Sequence, residues 1–314
     1  METVKLGSSD VSVVPLGIGT WAWGDQLFWS YGRDYSQTEL QGAFQAALDA
    51  GINFFDTAEI YGLGESENLL GQFMRQADRP VQIATKFMPL PWRFSSQSVT
   101  DALTASLKRL EQSTIALYQI HQPFDFFIGQ KNLMNVLADE VQQGRIQAVG
   151  VSNYSATQMR QAHQYLADRG IPLAVNQMHY SLLDRQIETN GVLDAARELN
   201  ITILAYSPLS QGLLTGKYTA ENDKKPSGAR VLNPRFSKSG LEKLAPVLQK
   251  LQEIGARYDK TPAQVSLNWL IAQGNVIPIP GAKNEQQARQ NAGALGWMMT
   301  PDEVEQLREV ARSV

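Results

Sequence analysis

Asp56, Tyr61, Lys86 and His121 are the residues whose types and spacing could do chemistry, each ending or following a short apolar run. A free tyrosine titrates near pH 10, too high for efficient proton donation and return near neutrality. A neighbouring ammonium favours the phenolate, so Lys86 is expected to bring Tyr61 down. An Asp56 carboxylate would keep Lys86 charged and in place, and His121 would orient a carbonyl oxygen and donate a hydrogen bond to it. Such a set supplies a proton and stabilises an oxyanion with neither a metal nor a side-chain nucleophile. It needs a cofactor as hydride source. Taken singly, each residue has an equally good structural explanation: Asp56 and Lys86 as a satisfied ion pair, His121 as a hydrogen-bonded core residue. Chemistry is favoured because all four fall at the same level of the fold.

That level follows from the order of elements. After a hairpin expected over 4–6 and 11–13, β-rich apolar runs occupy 15–18, 53–56, 82–86 and 115–121. Four more cover 146–152, 174–177, 202–207 and 276–279. Between them lie segments of helical period. Ser36 and Glu39 have capping-box spacing ahead of Leu40, Phe44, Ala47 and Leu48, and Gly51 closes that helix. Val99, Leu103, Leu107 and Leu110 repeat the pattern, as do Met159, Ala162 and Leu166 behind Ser155, and Val192, Ala195, Ala196 and Leu199. Parallel strands need helical crossovers, so this order predicts one (β/α)₈ TIM-barrel domain over 1–314, an open doubly wound sheet being the alternative. The polar stretch 218–240, with Pro226, Gly228, Pro234 and Gly240, breaks the rhythm after the seventh strand. A loop of this length reads as a mobile lid.

Catalytic groups of a parallel barrel sit at the C-terminal ends of its strands. Those ends carry Gly19, Thr20 and Trp21; Asp56, with Tyr61 beyond; Lys86; His121; Ser152 and Asn153; Gln177; Tyr206 and Ser207; and Pro280 to Lys283. Trp21, Trp23, Trp29, Trp92, Phe94 and Phe126 fall on loops at the same mouth. Trp21 and Trp92, with Tyr61 and His121, are the candidates for a substrate pocket, and loop packing explains each aromatic ring equally well.

Composition removes several classes. The chain has no cysteine, which excludes disulfides, thiol catalysis and cysteine-based metal centres. Its net charge is −3 with no Lys/Arg run, so neither nucleic acid nor an anionic membrane is an expected partner. No apolar run reaches the roughly 18 residues that span a bilayer, and the N-terminus lacks a signal-peptide pattern; a cytoplasmic protein, by default a monomer, is expected. Gly17-Ile18-Gly19 opens like a dinucleotide fingerprint, but the next helix starts only after Ser36. The run Gly212 to Lys217 is one residue short of a P-loop and is followed by Tyr218. The other histidines, His163 and His179, have no ligand spacing with His121, and no metal is expected.

With these residues in hand, the chain resembles the aldo/keto reductase family over nearly its whole length. The carrying segments are KLGSSDVSVVPLGIGTW, DAGINFFDTAEIYGLGESENLLG, IATKF, LYQIHQP, AVGVSNYS, AVNQMHYSLLDR, ILAYSPLSQGLLTGKY and IPIPGAKNEQQARQN. The resemblance implies a barrel that binds NADPH in extended form and reduces small aldehydes or ketones, with Asp56, Tyr61, Lys86 and His121 as catalytic tetrad and Tyr61 as general acid. It implies that Ser152, Asn153 and Gln177 bind the nicotinamide carboxamide and that Tyr206 stacks on its ring, with Gly19, Thr20, Trp21 and Asp56 nearby. Ser207, Pro208, Leu209, Gly212, Leu213 and Lys217 would follow the pyrophosphate. Gly281, Lys283, Asn284, Gln287, Gln290 and Asn291 would surround the adenosine and its 2′-phosphate. One well-known branch has Lys in place of Gly281 and Arg in place of Gln287; the pattern here looks like the bacterial, plant and channel-β-subunit-like branch. That branch keeps a second reading open, a non-catalytic NADPH-binding subunit. A third is a barrel lyase or isomerase without a redox cofactor.

Overall fold

The computed structural model describes residues 2–125, 127–222, 224–226 and 228–314. Strands β1 (Val4–Lys5) and β2 (Ser12–Val13) form an antiparallel hairpin. Eight parallel strands follow: β3 (Ile18–Gly19), β4 (Phe54–Asp56), β5 (Gln82–Phe87), β6 (Ile115–Ile120), β7 (Ile146–Ser152), β8 (Leu173–His179), β9 (Thr202–Tyr206) and β10 (Val276–Pro278), paired in chain order. The two ends of the sheet meet. Gly17 N donates to Pro278 O and Gly19 N to Pro280 O, both at 3.0 Å, which closes the barrel. β3 begins later than the apolar run at 15–18 suggests, because Pro15 has no N–H for the ladder.

The helices between the strands are α1 (Gln37–Asp49), α2 (Glu65–Met74), α3 (Ser96–Leu110), α4 (Gln130–Gln142), α5 (Ala156–Ala167) and α6 (Val192–Glu198). Then come α7 (Lys238–Tyr258), α8 (Pro262–Ile271), α9 (Glu285–Ala292) and α10 (Pro301–Val310). Ser36–Glu39 makes the expected capping box, Ser155 caps α5 with Gln158 completing a box there, and the unforeseen α8 and α10 start the same way at Thr261 and Thr300. No helix among the described residues is long and apolar enough to cross a membrane.

The irregular stretch is shorter than 218–240. It contains short 3₁₀ turns at Gly228–Leu232 and Pro234–Phe236. Gly240 already lies in the first turn of α7, where its N–H is taken by the Ser237 hydroxyl at 3.1 Å. A serine cap at the helix start outweighs the glycine that seemed to prolong the loop.

Period-2 alternation gives the barrel wall two apolar faces. Phe54, Ala84, Leu117, Ala148, Val175, Leu204 and Ile277 fill the interior, and Leu6, Val11 and Val13 of the hairpin plug its bottom. Phe55, Ile83, Val149 and Ile203 face outward onto Phe44, Leu69, Leu103, Leu137, Leu166 and Leu193 of the helices. Two residues further along β5 and β6 the interior turns polar. Lys86 and Gln119 pair in register above the Ala84–Leu117 layer.

Candidate active site

Lys86 is fully buried, and each of its three ammonium protons has an acceptor. Nζ lies 2.6 Å from Asp56 Oδ2, 2.7 Å from Thr57 O and 3.4 Å from the Tyr61 hydroxyl. Two amides hold the other Asp56 oxygen: Oδ1 accepts from Gln177 Nε2 at 2.8 Å and Gln119 Nε2 at 3.2 Å. Tyr61 begins the 3₁₀ turn Tyr61–Gly64, which bends the chain from β4 into α2. Gly62 takes φ of 56° there, and a Cβ on it would sit 2.8 Å from Gly24 O, so the turn needs glycine on both counts. Buried Glu67 anchors α2 beside the turn, accepting from Arg109 at 2.6 Å and Thr85 at 2.5 Å. His121 extends β6 by one residue through its N–H to Phe87 O at 2.9 Å, and its ring meets that of Tyr61 edge-on at 5.7 Å.

Burial decides the electrostatics. It raises the Tyr61 pKa above the ordinary phenol value, Lys86 pulling it down and Asp56 pushing it up. This reverses the net effect expected from the Tyr61–Lys86 pairing: removal from water costs the phenolate more than one ammonium, itself neutralised by Asp56, returns. Tyr61 is therefore protonated at neutral pH. Burial alone would lower the Lys86 pKa, but Asp56 and Tyr61 hold it above the usual lysine value. Burial, and then Lys86, push His121 down to about 3, so its imidazole is neutral across the physiological range.

A cavity of about 1140 Å³ opens above this set. Trp21, Ile60, Tyr61, His121 and Gln122 line one part, and Gly19, Asp56, Ser152, Asn153, Gln177 and Tyr206 also border it. Ser207, Pro208, Leu209, Gly212 and Lys217 continue the lining to Gly281, Lys283, Asn284, Gln287, Gln290 and Asn291. Tyr206 donates from its hydroxyl to Asn153 Oδ1 at 3.0 Å and stacks on His179 at 5.3 Å. Lys283 Nζ sits between two rings, 4.5 Å from the centroid of Trp29 and 4.4 Å from that of Tyr35. Desolvation there, reinforced by Arg230, lowers its pKa to about 8.

Several anticipated residues lie elsewhere. Thr20 is buried behind the cavity, where its hydroxyl donates to Asp56 O at 3.0 Å and so fixes the end of β4. Leu213 is in the outer core, and Trp23 packs there on Phe55 and Phe73. Trp92 and Phe94 are about two-thirds exposed on the β5–α3 loop, away from the lining. Phe126 lies outside the described residues. Sequence reasoning missed Gln119, Gln122, Tyr35 and Arg230. For Gln119 a signal existed: it stands two residues before His121 and so shares a face with it.

The lining suits a dinucleotide. Amide and hydroxyl groups cluster beside Tyr61, where a carboxamide needs partners, and Lys217, Lys224, Arg230 and Lys283 border the same cavity with the charge that phosphates need. Comparison with known proteins gives the family. The sequence profile described as the Aldo/keto reductase family matches residues 15–312. The chain belongs to the aldo/keto reductase family. It is an oxidoreductase that reduces carbonyl groups with NADPH. Among relatives, the chloroplastic pyridoxal reductase of Arabidopsis thaliana is 41% identical over 99% of this chain and 86% of its own length. An aldo-keto reductase [NADP(+)] of Schizosaccharomyces pombe is 33% identical, covering 98% of this chain and 91% of its own. A solved glycerol dehydrogenase from Gluconobacter oxydans superposes with a TM-score of 0.86 at 29% identity, over 99% of this chain and 96% of its own.

Proposed function

We propose that this aldo/keto reductase reduces small aldehydes, with Tyr61 as the proton donor and Asp56, Lys86 and His121 as the groups that set it. The observation that carries this reading is the placement of the Tyr61 hydroxyl. It is the third acceptor of an ammonium whose other two protons are taken, and it borders the cavity beside a neutral imidazole.

Ser152, Asn153, Gln177 and Tyr206 would hold the nicotinamide end of the cofactor, the 207–217 segment its pyrophosphate, and Lys283 to Asn291 its adenosine. When bound, the reduced nicotinamide supplies the hydride that reaches the carbonyl carbon. The protein's own part is to manage charge on the carbonyl oxygen. Tyr61 gives it a proton, His121 donates a hydrogen bond to it, and Lys86 stabilises the phenolate left behind. A neutral His121 leaves Lys86, among the described residues, as the cation beside that phenolate.

Trp21 forms an apolar wall beside Tyr61, the ring centroids 6.4 Å apart, and Gln122 adds a polar group. A flat aldehyde with polar edges suits such walls, and the similarity to a pyridoxal reductase makes pyridoxal the first compound to assay. We read the protein as a cytoplasmic enzyme. The test is Tyr61→Phe, which keeps the ring and removes the proton. Turnover should fall by about 10²–10⁴-fold while NADPH affinity stays within about twofold. Near-normal reduction by the Phe variant would falsify the assignment.

A further inference from the structure

The geometry points to Gln119 as a positioning residue for this reaction, one that fixes the Asp56 carboxylate so that Lys86 keeps its third proton on Tyr61; it rests on the reading of Tyr61 as proton donor. Gln119 lies in β6, fully buried, paired with Lys86 on β5 and Gly150 on β7. An amide placed inside a barrel is costly unless its hydrogen bonds are made. Here they are made in one sense only. Its Nε2 donates to Asp56 Oδ1 at 3.2 Å, and its Oε1 accepts from Gln177 Nε2 at 3.3 Å. Turning the amide over would set an oxygen against the carboxylate and a donor against a donor. The space for Gln119 comes from Gly150, where a Cβ would lie 2.8 Å from Gln119 Cγ.

A carboxylate is free to rotate about its Cβ–Cγ bond, and rotation would carry Oδ2 away from Lys86. Donors on Oδ1 prevent this. Gln177 is one, but it borders the cavity and is among the residues proposed to hold the nicotinamide, so its bond depends on what occupies the site. Gln119 does not border the cavity and holds Asp56 whatever occupies it. It touches neither substrate nor cofactor and acts through Asp56 and Lys86.

Two variants test the role, with Tyr61→Phe run beside them. Gln119→Leu removes the donor. The carboxylate is then less compensated, Tyr61 holds its proton more tightly, and the alkaline limb of the kcat–pH profile moves up. We expect kcat to drop about tenfold, with KM and NADPH Kd within about twofold. Gln119→Glu keeps both hydrogen bonds only while its carboxyl is protonated, a state that burial beside Asp56 favours. Its kcat should approach the parent's at low pH and fall through a new ionisation as pH rises, a limb that neither the parent nor the Leu variant has. A purely structural role leaves the alkaline limb of the Leu variant where the parent has it. If Leu matches the parent in kcat and profile, or Glu shows no added limb, while Tyr61→Phe is inactive, the positioning role is wrong and the proton-donor reading stands. If Tyr61→Phe is active, both fall together. Should the Leu variant not fold, Gln119→Met, which also lacks the donor, takes its place and is read by the same shift of the alkaline limb.

Discussion

Breaking the Asp56–Lys86 pair one charge at a time separates what it contributes to stability from what it contributes to turnover. The pair is 2.6 Å long, with side chains 0% and 3% exposed, so water cannot replace a lost partner. Lys86→Met leaves a buried carboxylate with only two amide donors. Removing one member of a buried ion pair costs about 3–5 kcal/mol, because the other stays charged and unpaired. Asp56→Asn strands the ammonium at similar cost. In the double variant neither charge remains. The residual cost is then an Asn amide facing a methionine, about 1–3 kcal/mol for an unmatched polar group. Urea denaturation of the parent, both single variants and the double at neutral pH gives the cycle, with a coupling of roughly 3–9 kcal/mol expected as the excess of the summed singles over the double. Turnover should not follow: the two variants that lack Lys86 should lose at least about 10²-fold, because neither presents a cation to the Tyr61 phenolate. A double variant as unstable as the sum of the singles would mean that charge pairing is not what holds Lys86 in place.

Two further outcomes follow from the cofactor side. Lys283 is charged below its pKa of about 8 and neutral above it; NADPH affinity should therefore weaken as pH rises through 8 while NADH affinity stays flat, and Lys283→Ala should cost NADPH about 10- to 100-fold at neutral pH and abolish that pH dependence in titrations of both cofactors. The irregular segment from Tyr218 to Ser237 carries Arg230, which contacts the Trp29 ring at 5.2 Å from outside its own loop; it should be cut more slowly by protease when NADPH is bound, and equal cutting with and without cofactor would refute its role as a cover.

The order of strands, and with it the level of Asp56, Lys86 and His121, was legible because inward and outward residues alternate and helix starts carry their own capping residues. What the order could not convey was depth. Lys86 lowers the pKa of Tyr61 in any reading that counts charges, yet burial outweighs it, and burial depends on which residues of other strands stand around the ring. Thr20 shows the same limit: a hydroxyl at a strand end reads as a ligand contact, but here it is spent on Asp56 O behind the wall. Trp92 looked like a pocket wall because its loop is at the mouth, and that loop instead turns it outward. The loop is tied down by Arg93, whose guanidinium forms a two-pronged pair with Glu59. Gln119 was within reach of the alternation rule and was passed over because glutamine carries no charge to draw attention.

The enclosure of Lys86 also bears on self-poisoning. Aldehydes condense with free amines to give imines and add readily to thiols, so an enzyme that collects aldehydes puts its own nucleophiles at risk. An ammonium has no lone pair to attack with. Lys86 keeps its proton because Asp56 and Tyr61 raise its pKa, all its N–H bonds are engaged, and no part of it is open to the cavity. The chain offers no thiol anywhere. The amine beside Tyr61 is thus chemically silent toward carbonyl compounds that enter the cavity.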